Sequence, residues 1–235
     1  MLERFKAVFF DAGGTLFHPY PSVGEIYCEV ASRYGCRADA GTIERAFKDI
    51  WLRRDGLADL ANHCDEKIEK KWWRELVLEV FSRAGEVERF DEFFNELYEI
   101  FGRPDVWRLY PGVVSVLKEL KKRGKRLGIV SNWDSRLFQL CDGLGLHDYF
   151  DFVLASAVFG VAKPGSRIFQ EAMRRAGVTC EEAIHVGDSF EDDILGAQTA
   201  GLEAILINRH AERLTLHGDR LRGIRVIHDL KELIV

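Results

Sequence analysis

Five short, uninterrupted apolar runs constrain this chain more than any other feature: Ala7-Val-Phe-Phe10, Leu127-Gly-Ile-Val130, Phe152-Val-Leu154, Ala183-Ile-His-Val186 and Ala204-Ile-Leu-Ile207. A strand with one wet face alternates apolar and polar residues. These runs do not alternate, which is the pattern of parallel strands covered on both faces. Helical patterns separate them. Val113–Arg123 places apolar residues at 113, 114, 116, 117 and 120 and runs into Lys-Lys-Arg-Gly, a helix stop. The spacing predicts further helices over 135–143, 166–176 and 191–200. From residue 110 onward strand and helix alternate, so the expected fold is α/β, a doubly wound, Rossmann-like parallel sheet.

Between the first strand and residue 110 the alternation stops. Residues 24–34, 41–53, 66–84 and 88–101 read as four amphipathic helices with no strand among them. This predicts an α-helical bundle inserted into the α/β domain, with the core domain formed by residues 1–18 and 106–235 and the helical cap by 19–105. The charge supports the division: residues 19–105 hold 13 Lys and Arg against 19 Asp and Glu, a net of −6, while the rest is close to neutral. Trp72-Trp73 and Phe93-Phe94 are read as anchors of the bundle's own core. Hinges are expected near 17–22 and 103–110, where Pro19, Pro21, Pro104 and Pro111 punctuate the chain.

Composition narrows the function classes. Apolar residues make up 47% and charged residues 30%, which suits a globular chain with a substantial core and excludes a disordered one. A net charge of −5 argues against nucleic acid as a partner. No run approaches the roughly 18 apolar residues of a membrane helix. Five cysteines, an odd number with no CxxC spacing, argue against both a disulfide framework and a zinc site. The expectation is a cytoplasmic, reduced, monomeric protein.

In an open α/β sheet, ligands bind at the carboxyl ends of the strands. The residues there are Asp11-Ala-Gly-Gly-Thr15-Leu16 after the first strand, Ser131-Asn132-Trp133 after the second, Lys163-Pro164 after the third, and Gly187-Asp188-Ser-Phe-Glu-Asp192-Asp193 after the fourth. One hydroxyl, one lysine and two acidic clusters are thereby directed to a single cleft. A strand-end carboxylate can attack an electrophilic phosphorus or carbon and form a covalent intermediate. Asp11 is the candidate.

These four segments, in this order and with a helical insertion after the first, resemble the motifs of the haloacid dehalogenase-like (HAD) superfamily of aspartate-nucleophile hydrolases, subfamily I. Within it the chain is most similar to the branch of haloacid dehalogenase-like hydrolase domain-containing and rhythmically-expressed-protein-like sequences, which share the Trp-Trp pair and the spacing of the last motif. The resemblance implies Asp11 as nucleophile and Mg²⁺ as cofactor, held by Asp11, Asp188, Asp193 and the carbonyl of Gly13. It implies Ser131, Asn132, Lys163 and Thr15 around a phosphoryl group, with Ser131 and Lys163 taking part in catalysis. Asp193 is preferred over Asp192, which is expected to face solvent or cap the helix. The substrate implied is a small phosphorylated molecule.

One position departs from the pattern. Phosphatases of the superfamily carry a second aspartate two residues after the nucleophile, and here that residue is Gly13. Three readings stay open: a Mg²⁺-dependent phosphatase favouring good leaving groups, a dehalogenase or phosphonatase on the same nucleophile, and a binding or regulatory protein with little turnover. His18 is a possible substitute acid or a loop residue, and Trp133 floors the site or packs the helix that follows. His185 is read as buried structure. Arg53, Arg54 and Lys67–Lys71 are the basic clusters available to steer an anion.

Overall fold

A computed structural model describes residues 2–54, 64–209 and 218–235; positions 55–63 of the expected cap lie outside the described residues. The chain runs β1 (Ala7–Phe10), β2 (Phe17–Pro19), α1 (Val23–Ser32), α2 (Ala40–Arg53), α3 (Glu66–Ala84), α4 (Phe90–Ile100) and β3 (Trp107–Leu109). It continues with α5 (Val113–Lys122), β4 (Arg126–Ser131), α6 (Arg136–Gly143), β5 (Phe152–Ala155), α7 (Ser156–Phe159) and α8 (Ser166–Ala176). The last elements are β6 (Ala183–Gly187), a π-helical turn (Phe190–Leu195), α9 (Gly196–Thr199), β7 (Glu203–Ile207) and β8 (Arg225–Ile227).

Six strands form one sheet in the order β5-β4-β1-β6-β7-β8, with all five pairings parallel. The expected doubly wound α/β fold is therefore present. The period of two along β1 explains its continuous apolarity. Val8 and Phe10 join a core with Val116, Leu117 and Leu120 of α5, while Ala7 and Phe9 join another with Ile168, Phe169 and Ala172 of α8. Each face is covered by helices, and every β1 side chain is fully buried.

The helices α1–α4 gather a separate core that includes Ile26, Val30, Ile43, Ile50, Trp72, Leu76, Phe93 and Leu97. Trp72 stands edge-on to Trp73, with ring centroids 5.1 Å apart, and Trp51 stacks on Trp73 at 5.6 Å. The helices start where capping chemistry dictates: Ser22 accepts the Glu25 amide, Asp39 that of Thr42, and Asp65 those of Lys67 and Ile68. Among the described residues, no helix is long and apolar enough to cross a membrane.

Two features were not expected. The crossings between helical bundle and sheet are paired with each other, β2 antiparallel to β3, with His18 opposite Arg108. Parts of the stretches read as hinges, 17–19 and 107–109, thus form a two-stranded ribbon. A sixth strand, β8, also lies at the sheet edge. Its three residues, Arg225-Val-Ile227, are too few and too polar to register as an apolar run.

Candidate active site

The ends of β1, β4 and β6 and the loop before α8 bring the polar residues together. Asp11 follows β1, and its amide donates to Val186 of β6 at 2.9 Å, so the nucleophile candidate is tied to the neighbouring strand. Its Oδ1 accepts from Ser131 Oγ at 3.0 Å and from Lys163 Nζ at 2.7 Å. The same ammonium reaches Asp193 Oδ1 at 2.5 Å. That oxygen also accepts from His185 Nε2 at 2.8 Å, while Asp193 Oδ2 accepts the Ser189 amide at 2.9 Å. His185 is buried, as expected, yet it belongs to this network; its ring lies edge-on to Phe169.

Lys163 is 1% exposed, Asp193 1% and Asp11 7%, so the charges are far from bulk water. Removing an ammonium from water is costly, but the Asp11 and Asp193 charges outweigh that cost and hold the Lys163 pKa above its ordinary value. Burial likewise disfavours charge on Asp193, yet Lys163 and His185 hold its pKa well below the usual carboxylate range. Burial is the largest influence on Asp11 and moves its pKa upward; Lys163 opposes this and the Asp193 charge reinforces it.

Asp11, Asp188 and Asp193 each offer an oxygen within 4.8 Å of the others, and such a set of hard carboxylate donors can hold a divalent cation. Asp193, not Asp192, belongs to this group. Asp192 is buried at the start of the π-helical turn rather than solvent-facing, because the turn begins at Ser189, whose hydroxyl accepts the Asp192 amide. Single π turns recur at functional sites.

Other expected residues have different surroundings. Thr15 is fully buried, and its hydroxyl donates to Asp188 Oδ1 at 3.5 Å, which joins it to the acidic cluster. Asn132 uses its side-chain amide on the Lys163 backbone, accepting from Lys163 N at 2.7 Å and donating to Lys163 O at 2.9 Å. Gly14 has a φ of +79°, and a Cβ there would collide with the Asp188 carboxylate. His18 Nδ1 donates to the Pro19 carbonyl at 2.9 Å, and its ring lies 4.7 Å from that of Tyr110, which fixes it in the ribbon. Arg53 and Arg54, named above as a basic cluster, are both paired with Glu79 of α3.

Sequence reasoning missed the contacts that join the bundle to the motif loop. The Tyr98 hydroxyl of α4 donates to Asp134, which also accepts the Arg136 amide at 2.9 Å. The Arg136 guanidinium lies 3.4 Å from the Tyr98 ring centroid and pairs with Asp134 at 2.8 Å. Beside them Glu69 of α3 is 1% exposed and accepts from Trp73 Nε1 at 3.4 Å. Burial, with the Asp134 charge adding to it, pushes the Glu69 pKa up to about 8. The signal for Glu69 is its helical position: at i relative to Trp72, Trp73, Leu76 and Val80 it falls on the apolar stripe.

A strand-end carboxylate paired with a buried lysine, beside an acidic cluster on a doubly wound sheet with a helical insertion, is an arrangement suited to hydrolysis. The family model for haloacid dehalogenase-like hydrolases matches residues 5–201, and the chain belongs to that family. It is 34% identical over 206 residues to the mouse (Mus musculus) haloacid dehalogenase-like hydrolase domain-containing protein 3, covering 87% of this chain and 82% of that protein. It is 32% identical over 253 residues to glyceraldehyde 3-phosphate phosphatase of Methanothermobacter thermautotrophicus, covering 97% of each. Among solved structures it resembles a HAD phosphatase from Thermococcus onnurineus, with a TM-score of 0.65 and 28% identity over 97% of this chain and 96% of that one.

Proposed function

We propose that this protein is a Mg²⁺-dependent phosphatase that hydrolyses a small phosphorylated metabolite through an aspartyl-phosphate intermediate. The observation that carries this reading is the buried lysine shared by Asp11 and Asp193 with Asp188 alongside. A carboxylate can approach a phosphoryl group, itself an anion, only where positive charge is concentrated. The similarity to a phosphatase over nearly the whole chain supports the same conclusion.

Asp11 attacks phosphorus. Ser131, whose hydroxyl already touches Asp11, orients the carboxylate and is placed to donate to a phosphoryl oxygen. Lys163 neutralises charge shared between Asp11 and the transferred group, and Asp193 and Asn132 keep it in place. Asp11, Asp188 and the Gly13 carbonyl are the residues to hold Mg²⁺, with Asp193 completing the acidic set. When bound, the ion supplies Lewis-acid charge neutralisation.

The test is a phosphatase screen over a metabolite panel with Mg²⁺ and with EDTA, alongside Asp11→Asn, which keeps the shape of the side chain and removes the attacking charge. Phosphate release abolished by either change is the expected result. Halide release that survives EDTA would establish a dehalogenase instead. Phosphonate cleavage would establish a phosphonatase, and ligand binding without turnover a regulatory protein.

A further inference from the structure

The most informative neighbour of the nucleophile loop is an aromatic ring. Gly13 has no positive φ, so its backbone would accept a side chain, but a Cβ built there lies 3.0 Å from Cζ3 and 3.7 Å from Cη2 of Trp133. The indole has little freedom to give way. It is packed edge-on against Phe17 at 5.7 Å and Trp107 at 5.2 Å, one ring from each strand of the ribbon. Its backbone is fixed as well: the amide donates to Ser156 Oγ at 3.0 Å, and the carbonyl accepts the Ala157 amide at 3.1 Å. A side chain at position 13 therefore requires the Trp133 ring to shift by a few tenths of an ångström.

The proton donors around Asp11 complete the picture. Among the described residues, its side chain is contacted by Ser131 and by Lys163, an ammonium held charged by two carboxylates. His18 is engaged by the Pro19 carbonyl, and His185 lies on the far side of Asp193. The space where a side chain at position 13 would stand beside the nucleophile holds an apolar ring.

We propose that the Gly13–Trp133 pair is a specificity device that restricts the enzyme to phosphoryl compounds whose leaving group departs as a stable anion, with acyl phosphates, which release a carboxylate, as the substrate class. This rests on the phosphatase reading above. In the first step an Asp11 oxygen bonds to phosphorus while the bond from phosphorus to the leaving oxygen breaks. Its electron pair stays on that oxygen, and no proton is required. In the second step water attacks the aspartyl phosphate and the phosphorus–Asp11 bond breaks. The carboxylate is restored, inorganic phosphate forms, and the proton from water goes to phosphate or bulk solvent. An alkyl phosphate fails at the first step, because an alkoxide is too basic to leave unprotonated.

The experiment measures kcat/KM, which reports phosphoryl transfer, for acetyl phosphate and for aryl and alkyl monoesters graded by leaving-group basicity. Wild type should show a steep fall with basicity, with acetyl and p-nitrophenyl phosphate exceeding glycerol 3-phosphate by about 10²-fold or more. The double variant Gly13→Asp/Trp133→Ala makes room for an acid and should flatten that dependence, whereas Gly13→Asp alone, with the ring in place, should not. A flat series in wild type would overturn the inference while leaving the phosphatase reading intact. Absence of any Asp11-dependent turnover across the whole series would overturn both. Acetyl phosphate turnover no faster than that of glycerol 3-phosphate would remove the assignment of acyl phosphates as the class.

Discussion

His185 and Asp193 are joined through a single oxygen: the histidine Nε2 lies 2.8 Å from Asp193 Oδ1, which also receives the Lys163 ammonium at 2.5 Å. Two buried carboxylates therefore depend on one lysine. Replacing Lys163 with Met removes the cation and leaves Asp11 and Asp193 buried together, a change that costs about 3–5 kcal/mol when one partner of a buried pair is lost. Urea denaturation of Lys163→Met at neutral pH should show a loss of this size, with Asp11→Asn, which keeps the Lys163–Asp193 pair, far milder. The sign of the acid response follows from Asp193. Its pKa is depressed from the ordinary 3.8, so its contribution is present above that value and is lost as pH falls through the folded pKa.

Gly14 offers a test of the acidic cluster that leaves every carboxylate in place. Gly14→Ala forces a residue with a Cβ to φ +79° and drives that atom into the Asp188 carboxylate. Divalent-cation affinity by calorimetry should fall with turnover. Gly124→Ala is the control, since its φ is +72° but nothing lies within 4 Å of the added carbon. Left-handed backbone strain of about 1–2 kcal/mol should appear in both, and loss of cation binding only at position 14.

Glu69 is expected to make stability fall with rising pH. Its pKa moves from 4.5 to about 8 on folding, so between those values the folded chain holds a proton that the unfolded chain has released. Stability is greatest below the unfolded value and declines until the folded pKa is passed. Glu69→Gln should abolish this slope and raise stability above pH 8 by a few kcal/mol, on the scale of about 1.4 kcal/mol per unit. A variant that tracks wild type from pH 5 to 9 would show that Glu69 is ionised throughout.

The Tyr98–Asp134–Arg136 contacts join α4 to the loop that follows Ser131. Tyr98→Phe removes one donor and leaves Asp134 paired with Arg136; a loss of about 1–2 kcal/mol is expected. Arg136→Ala strands a carboxylate that is 2% exposed and should cost more. If the contacts set the position of Ser131, kcat should fall in Arg136→Ala with the fold intact by circular dichroism.

Local pattern carried the sheet and the helices. Continuous apolarity marked five of the six strands, and amphipathic spacing marked the four helices of the bundle. The convergence of Asp11, Ser131, Lys163 and Asp188 followed from the rule that sites lie at strand ends. What pattern could not convey was pairing across distance. Nothing in Phe17-His-Pro19 indicates that Trp107-Arg-Leu109 lies beside it, nor that Arg53 and Arg54 are taken by Glu79. Trp133 against Gly13 is of the same kind: two residues separated by the whole helical bundle, whose fit is visible only in three dimensions.

The antiparallel ribbon of β2 and β3 has a consequence for the order of folding. Strand β1 must find β4, with Ala7 opposite Arg126, and closing so long a span of flexible chain is entropically unfavourable and slow. The bundle helices, built mainly on near-neighbour contacts, need no such search. Once they assemble and the ribbon zips, the span between β1 and β4 shrinks to residues 11–16 on one side of a preformed knot of structure and 110–125, largely α5, on the other. The insertion then serves as an internal splint for the sheet. A chain whose ribbon is broken, for instance by replacing both Phe17 and Trp107 with Gly, should refold more slowly even under conditions in which its final stability is restored.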